Sequence, residues 1–467
     1  MPGTVRLNPT DEMLHAAADR LGSSRIVQVL WSFDRPVPRR TLEAEWHRLD
    51  QGRLSRRAAP SRIPGARRTW VRAHNTEELD TAARPVTVGT LMEWADREVR
   101  VPLPPGSNAL WRLAAAPYGS GSVVSLTVPH FRCDGLGIFD AIASGGRPDR
   151  TVPEAAIASG GPPDRPVPDA SSPLGDAVDV LRQAARAGVD TVRWLPRLLG
   201  SRAERAGLVA ALRRPPAGPP VGGEPRFFTS LIVETDAIAW EEQARARGGT
   251  VNSLFIEFAA NLVRAAVRTD SPTPIEVGLP MTLRESKDDG RANALVVLPL
   301  TVQGGPPRYA GLRRTRDATR ELLSRTGERG GTLVPETLWH LLPAGRAHRL
   351  LRPGAQQTDV VASNFGRTPD AVARFTGRPA DGVAVRTMNV PGVVADRARI
   401  RASLCLVRTG DRMAVTVTGM PDHFGDGSSL ARLVDKELST WGLRADRWWG
   451  AGPTPHAWRP IASDAAC

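Results

Sequence analysis

The sequence predicts an α+β protein, an α/β sandwich of two similar lobes joined by a long connector. Three observations predict it. The 467 residues are enough for two domains of ordinary size, each half mixes strand and helix patterns, and two Pro/Gly-rich segments interrupt the middle. We assign residues 1–140 to an N-terminal lobe, 141–224 to the connector and 225–467 to a C-terminal lobe. A cleft between such lobes is where we expect a ligand to bind.

The composition indicates a globular protein without a membrane span. Apolar residues make up 41% of the chain and charged residues 24%, and no run approaches the roughly 20 apolar residues that a span needs. The first residues lack the charged start and apolar block of a signal peptide. We therefore expect a cytoplasmic protein, at most peripheral to a membrane.

The cysteines and histidines predict no metal or other cofactor. Cys133, Cys405 and Cys467 are widely spaced and form no Cys-x-x-Cys pair, which excludes a disulfide framework and a zinc site from the prediction. The formal net charge of +13 comes almost wholly from arginine and would attract phosphates, acidic carrier proteins or anionic lipid. Scattered arginines, 5% aromatic residues and no recognition motif argue against nucleic acid as a partner.

In the first half, Val123 to Pro129 alternates apolar and polar side chains and predicts a strand with one apolar face. His130 continues that face, and Asp134 and Gly135 follow where the chain turns. An imidazole on a rigid element, partly desolvated and titrating near neutral pH, suits a general base.

The connector begins with a tandem repeat, in which residues 141–155 are followed at once by a near copy at 156–170. Two Pro/Gly-rich copies indicate a duplicated flexible linker. Gly175 to Arg214 then predicts one or two helices with a broad apolar stripe among arginines. An interfacial membrane helix or a lid fits this stripe, but packing of the stripe on the protein's own domain is the commoner arrangement.

In the second half, strands are predicted at 227–233, 294–302 and 360–364, and a hairpin pairs 404–407 with 413–417. Thr250 is predicted to cap a strong helix. A second histidine cluster, Asp422-His-Phe-Gly-Asp-Gly427, has His-x-x-Asp spacing. A loop followed by a capped helix from Ser428 to Leu438 is favoured there over a second catalytic site.

The His-x-x-x-Asp-Gly spacing from His130 to Gly135 stands in an ordered series of blocks. These are Ala109-Leu-Trp, Thr250-Val-Asn-Ser, Leu279-Pro-Met-Thr-Leu-Arg284, Asn293, Leu298-Pro-Leu300 and Ser363-Asn-Phe-Gly366. Motif and series together resemble the superfamily of chloramphenicol acetyltransferase, nonribosomal peptide condensation domains and the bacterial wax ester synthase/diacylglycerol acyltransferases, with the last group most similar. The resemblance implies two chloramphenicol-acetyltransferase-like lobes that form a pseudo-dimer with an active-site tunnel between them.

The same resemblance implies an acyltransferase. An acyl thioester, of CoA or an acyl carrier protein, would donate the acyl group to an acceptor alcohol, or less favourably an amine, in a ternary complex. His130 would be the general base. Asp134 would turn away from the substrate and pair with an arginine, for which Arg284 is our candidate, and Gly135 would let the chain turn tightly into a helix.

Further candidates line the implied tunnel. These are Cys133, Asn293 and Asn364, and for the two asparagines we favour a structural role. Cys133 also leaves open a covalent acyl-cysteine route, because a histidine lies close to it in sequence.

Three other functions compete with a free-standing ester-forming enzyme. One is a condensation-type enzyme that forms an amide or ester in natural-product biosynthesis, and another is a lipid-surface synthase. The third is a non-catalytic carrier- or lipid-binding relative, which Pro129 and Ala109 favour because members of the superfamily often have a second histidine and a proline at these places.

Overall fold

The computed structural model describes residues 5–145, 173–213, 224–267, 273–284, 289–304, 309–324, 332–342, 349–350, 358–394, 399–450 and 452–453. Its helices are α1 (Pro9–Leu21), α2 (Arg39–Gln51), α3 (Leu91–Arg100), α4 (Gly135–Ala143), α5 (Pro173–Gly200), α6 (Arg202–Arg213), α7 (Ala237–Ala246), α8 (Val251–Val267), α9 (Arg313–Ser324), α10 (Glu336–Leu341), α11 (Asp370–Ala373), α12 (Pro421–Phe424) and α13 (Gly427–Thr440). Its strands are β1 (Ser24–Phe33), β2 (Arg56–Ala59), β3 (Thr69–Arg72), β4 (Asp80–Thr81), β5 (Arg112–Tyr118), β6 (Gly121–Pro129), β7 (Thr229–Asp236), β8 (Ile275–Thr282), β9 (Leu295–Val302), β10 (Val360–Arg367), β11 (Gly382–Val390), β12 (Ala402–Thr409), β13 (Arg412–Gly419) and β14 (Arg447–Trp448).

The strands form two large sheets, so the predicted mixed α+β class is confirmed. The first sheet has five strands in the order β11-β1-β6-β5-β4, and the second has seven in the order β14-β7-β13-β12-β10-β8-β9. Strands β2 and β3 form a separate antiparallel pair.

Strand β11 ties the two halves of the chain together. It belongs to the second half in sequence but pairs antiparallel with β1 along its whole length, from Ser24 opposite Val390 to Ser32 opposite Gly382. The N-terminal sheet is therefore incomplete without residues from the C-terminal half. The lobe boundaries at residues 140 and 224 stay predictions, and the sheets do not follow them strictly.

Apolar side chains from both sheets share one core. Leu30 of β1 and Ala384 of β11 pack in the same cluster as Ile232 of β7 and Ala414 of β13. A larger core in the second half surrounds α8, because that helix buries Leu254, Phe255, Phe258, Leu262 and Val263 against its sheet. Thr250 Oγ1 accepts a hydrogen bond from the Ser253 N–H at 3.2 Å, which confirms the predicted cap.

The predicted strands are present, but β6 differs from its prediction in one respect. The alternation of Ser125 and Thr127 with apolar residues predicts a half-buried strand, yet all nine positions of β6 are buried. The reason is that β6 is central in its sheet, and Gln28 Nε2 donates to Ser125 Oγ at 2.8 Å on the polar face. Ser125 thus has a hydrogen-bond partner inside the protein, whereas no described residue hydrogen-bonds the buried Thr127 hydroxyl.

The connector differs more. The tandem repeat at 141–170 lies largely outside the described residues, and the predicted helices are α5 and α6. The expectation that the apolar stripe packs on the protein is wrong, because Leu181, Val192 and Leu199 are 62–73% exposed. Among the described helices, none is both long and apolar enough to cross a membrane.

Candidate active site

The site is built at the end of the central strand β6. The His130 N–H donates to the Arg25 carbonyl of β1 at 2.7 Å, which extends the pairing one residue beyond Pro129. The His130 carbonyl accepts from Asn293 Nδ2 at 2.9 Å. The backbone N–H and the carbonyl of His130 are thus both fixed, the first by the N-terminal half of the chain and the second by the C-terminal half.

Asp134 is a structural clamp between the halves. Its Oδ1 accepts from the Gly137 N–H at 2.7 Å, which caps helix α4, and its Oδ2 accepts from the Ala294 N–H at 2.9 Å. Arg284 Nη2 also donates to Oδ1 at 2.8 Å. Since both carboxylate oxygens are occupied and the residue is 3% exposed, Asp134 has no free oxygen directed at a substrate.

The Asp134–Arg284 ion pair is almost completely enclosed, with 4% and 8% of the two side chains exposed. Burial is the largest single influence and lowers the pKa of Arg284, but Asp134 and the other groups around the guanidinium together outweigh it, and the pKa of Arg284 is raised. Arg284 also donates to the Ala292 carbonyl at 3.2 Å and to two further carbonyls of its own loop. The sequence-based pairing of these two residues corresponds to a contact present in the structure.

The His130 side chain is neutral at physiological pH. Burial lowers its pKa to about 4; the nearby Arg25 guanidinium acts in the same direction and Asp134 opposes them. Its Nδ1 is buried, and no described residue hydrogen-bonds it.

Asn293 is buried at the site and hydrogen-bonds the backbone of His130. The residue is 2% exposed, and its Nδ2 donates to Asp11 Oδ1 at 2.9 Å as well as to the His130 carbonyl. Burial raises the pKa of Asp11 to about 6, against hydrogen bonds from Asn293 that lower it. This geometry fits the structural role favoured from sequence.

The places of Cys133 and Asn364 in a substrate tunnel stay predictions. Cys133 is fully buried, and burial raises its thiol pKa to about 11, so it is protonated at neutral pH. Asn364 is exposed on β10, where its Nδ2 donates to Asn252 Oδ1 of α8 at 3.1 Å. Among the described residues, neither side chain forms a hydrogen bond with the His130 ring.

Gly135 has a different reason to be glycine from the one expected. Its φ is not positive, so the turn into α4 does not need a glycine backbone. A Cβ at Gly135 would lie 2.8 Å from Phe365 Cζ and closer still to Cε1. The glycine therefore provides space for a ring from the second half.

Sequence reasoning missed two residues beside His130. The strand register places Arg25 of β1 between His130 and Asn389 of β11, and Arg25 Nε lies 3.5 Å from Asn389 Oδ1. Asp11, the anchor of Asn293, was missed as well. No local pattern marks these residues, because Asp11 and Asn293 are 282 positions apart.

The second histidine cluster forms the loop and cap expected of it. Asp426 Oδ1 accepts from the Ser429 N–H at 2.8 Å and begins α13. A cavity of about 680 Å³ lies beside His423, bounded by α8, α12 and α13. In the described part of the chain, no group of His, Cys, Asp and Glu side chains is arranged to hold a metal ion.

No family model matches the chain, and neither does any curated protein. Solved structures do match it. The first condensation domain of the CDA synthetase superposes with a TM-score of 0.56 at 16% identity, covering 94% of this chain and 96% of that one. The chain has the two-lobe fold of condensation domains.

Two further structures match over a similar length. The wax ester synthase/diacylglycerol acyltransferase from Marinobacter aquaeolei VT8 has a TM-score of 0.50 and 13% identity, covering 94% of this chain and 98% of that one. The epimerization domain from the third module of tyrocidine synthetase B has a TM-score of 0.50 and 13% identity, covering 94% and 96%. The predicted two-lobe fold is thus confirmed, whereas membership of the superfamily and the preference for the wax ester synthase group stay predictions.

Proposed function

We propose that this protein is an acyltransferase that moves an acyl group from a thioester to an acceptor hydroxyl, with His130 as general base. The observation that carries the proposal is the state of His130. The backbone N–H and carbonyl of His130 are each fixed by a hydrogen bond, one to Arg25 of the first half and one from Asn293 of the second, and burial lowers the pKa of the imidazole to about 4, so the ring is neutral at pH 7. A general base must be unprotonated at the working pH, and this imidazole is; its pKa of about 4 lies below the near-neutral value expected from the sequence, which makes it a weaker base than one matched to that pH.

The acyl transfer needs no covalent enzyme intermediate. His130 Nε2 takes the proton of the acceptor hydroxyl as its oxygen attacks the thioester carbonyl carbon. The tetrahedral oxyanion then collapses, the C–S bond breaks, and the imidazolium returns the proton to the leaving thiolate. The products are an ester and a free thiol, from either CoA or a carrier-bound donor.

The remaining candidates take supporting roles in this proposal. Asp134 and Arg284 are positioning residues that hold the loop carrying His130 against residues 292–294 of the second half. Cys133 takes no covalent part, because its buried thiol stays protonated. The acyl chain and acceptor would reach His130 from between the halves.

Thiol release tests the proposal directly. The purified chain is offered acyl-CoA and acyl-N-acetylcysteamine thioesters of short, medium and long chain, each with long-chain alcohols, diacylglycerol and amines, and free thiol is measured. We expect His130→Ala to lower the rate about 10²–10⁴-fold. His423→Ala, in the corresponding loop of the second half, and Cys133→Ala should keep near wild-type rates.

The pattern of results separates the competing functions. Wild-type turnover in His130→Ala sinks the general-base mechanism, and loss of activity in Cys133→Ala alone points to an acyl-enzyme. Amide formation in preference to ester formation favours a condensation-type enzyme. Thioester binding by calorimetry without turnover across the whole panel favours a carrier- or lipid-binding relative.

A further inference from the structure

Helices α5 and α6 expose several large apolar side chains. Eight large apolar side chains on these two helices are between 44% and 75% exposed. We call this surface the outer connector face, and it consists of Leu174, Leu181, Val189, Val192, Leu195 and Leu199 of α5 with Val209 and Leu212 of α6. Exposed apolar patches of this extent on a folded protein usually mark an interaction site.

The helix α5 is oriented with its polar side toward the protein. Asp176 pairs with Arg6 at 2.9 Å and Asp179 with Arg67 at 2.7 Å, and both aspartates are buried. Gln183 Nε2 donates to the Gly65 carbonyl at 3.3 Å. At about 100° per residue these buried positions lie opposite the apolar stripe, which occupies an arc of about 120°.

These ion pairs fix the orientation. Turning α5 over to bury its apolar stripe would break these ion pairs. The ion pairs therefore keep the stripe directed outward. Thr337 Oγ1, which donates to Asp190 Oδ2 at 2.8 Å, adds a further attachment from α10.

The charges on α5 and α6 are sorted in the same way. Seven arginines are exposed, whereas none of the four acidic residues within residues 173–213 is exposed. The exposed arginines are Arg182, Arg186, Arg193, Arg197, Arg202, Arg205 and Arg213. At about 100° per residue the four arginines of α5 lie along one side of its apolar stripe, so the outer connector face is flanked by positive charge.

We propose that the outer connector face binds an anionic lipid surface, with α5 lying in the plane of the headgroups. An apolar stripe beside arginines is the pattern of interfacial helices, whose apolar side chains enter the acyl boundary while guanidinium groups contact lipid phosphates. At 28 residues α5 is about 42 Å long, which suits a flat partner. A second copy of the chain would set seven arginines against seven like charges.

Vesicle flotation tests the proposal independently of catalysis. The protein is mixed at low ionic strength with phosphatidylcholine vesicles that contain either no phosphatidylglycerol or about one third of it, and the floating fraction is measured. We expect binding to the anionic vesicles that weakens as salt is raised. The triple variant L181E/V192E/L199E should lower the partition coefficient at least tenfold.

A matched control separates surface identity from added charge. V88E/I238E/L323E places the same three glutamates at apolar side chains that are 41–52% exposed elsewhere, and it should bind within twofold of wild type. R186Q/R193Q/R197Q, which adds no acid, should lower binding to anionic vesicles at least tenfold while leaving the melting temperature unchanged.

Three results would overturn the proposal. One is the absence of flotation with anionic vesicles, and another is equal loss in the two glutamate triples. The third is a dimer in sedimentation that L181E/V192E/L199E dissociates, since the face would then be an interface between copies.

Discussion

Replacing Gly135 with alanine should destabilise the protein through one ring of the second half. The new Cβ would lie 2.8 Å from Phe365 Cζ, whereas ordinary contacts are 3.4–4 Å. Either helix α4 or the ring must move by about 1 Å to accept it, and overpacking of this kind typically costs about 1–3 kcal/mol. The helix propensity of alanine returns at most about 1 kcal/mol, so we expect a net loss of about 1–2 kcal/mol.

The ring itself provides the test of the cause. Phe365 is half-buried and packs on Phe139 with ring centroids 5.7 Å apart, so F365A alone should cost less than the ~3–5 kcal/mol of a fully buried phenylalanine. In the F365A background the clash is gone, and G135A should become neutral or slightly stabilising. The two substitutions should therefore couple by about 2 kcal/mol.

The second half supplies a matched control. Gly427 also begins a helix directly after an aspartate cap, but a Cβ there would have nothing within 4 Å. We expect G427A to be neutral or stabilising. Urea unfolding of the four proteins of the cycle and of G427A, compared by midpoints at a common m-value, gives the free energies. Additivity of G135A and F365A within about 0.5 kcal/mol would refute the steric explanation.

Two further predictions concern charge. Arg284→Gln should lower the free energy of unfolding in urea by about 3–5 kcal/mol, because it leaves the Asp134 carboxylate buried without its cation. Arg39→Gln, which breaks the exposed pair with Glu43, should lower it by less than about 1 kcal/mol. Equal losses would contradict a stabilising role for the buried pair. His130 binds a proton less readily in the folded protein, where its pKa is about 4, than in the unfolded chain, where it is about 6.5. Its contribution to stability is therefore full above about pH 6.5 and is lost as the pH falls toward about 4. When the pH is lowered from 7.5 to 5, the free energy of unfolding of His130→Gln should therefore fall by about 2 kcal/mol less than that of the wild type. Parallel plots of unfolding free energy against pH would show that the imidazole is not desolvated.

Local patterns predicted much of the fold and one part of the site. The strand leading to His130, the hairpin of β12 and β13 and the helix after Thr250 each depend on residues close in sequence, and each is present. The Asp134 cap of α4 is also a local interaction, although it was not predicted. Short-range hydrophobic periodicity and capping chemistry are sufficient for such elements.

Partners distant in sequence could not be predicted in this way. The orientation of α5 depends on Arg6 and Arg67, which lie more than a hundred positions away in the sequence. The apolar stripe alone therefore predicted that this side of α5 packs on the protein, whereas it faces outward. The space at Gly135 is set by Phe365, and no local signal links the two. Only the Asp134–Arg284 pairing was reached over a long distance, and that came from a family resemblance rather than from spacing.

The placement of β11 has a consequence for synthesis on the ribosome. Strand β1 is made early, yet its partner β11 follows about 350 residues later, since Gln28 meets Arg386 across 358 positions. At ordinary elongation rates roughly 20–70 s pass between them. During that interval the open edge of β1 is available for mispairing with other nascent chains. Efficient production of this protein should therefore depend on chaperones that shield β1 until translation is nearly complete.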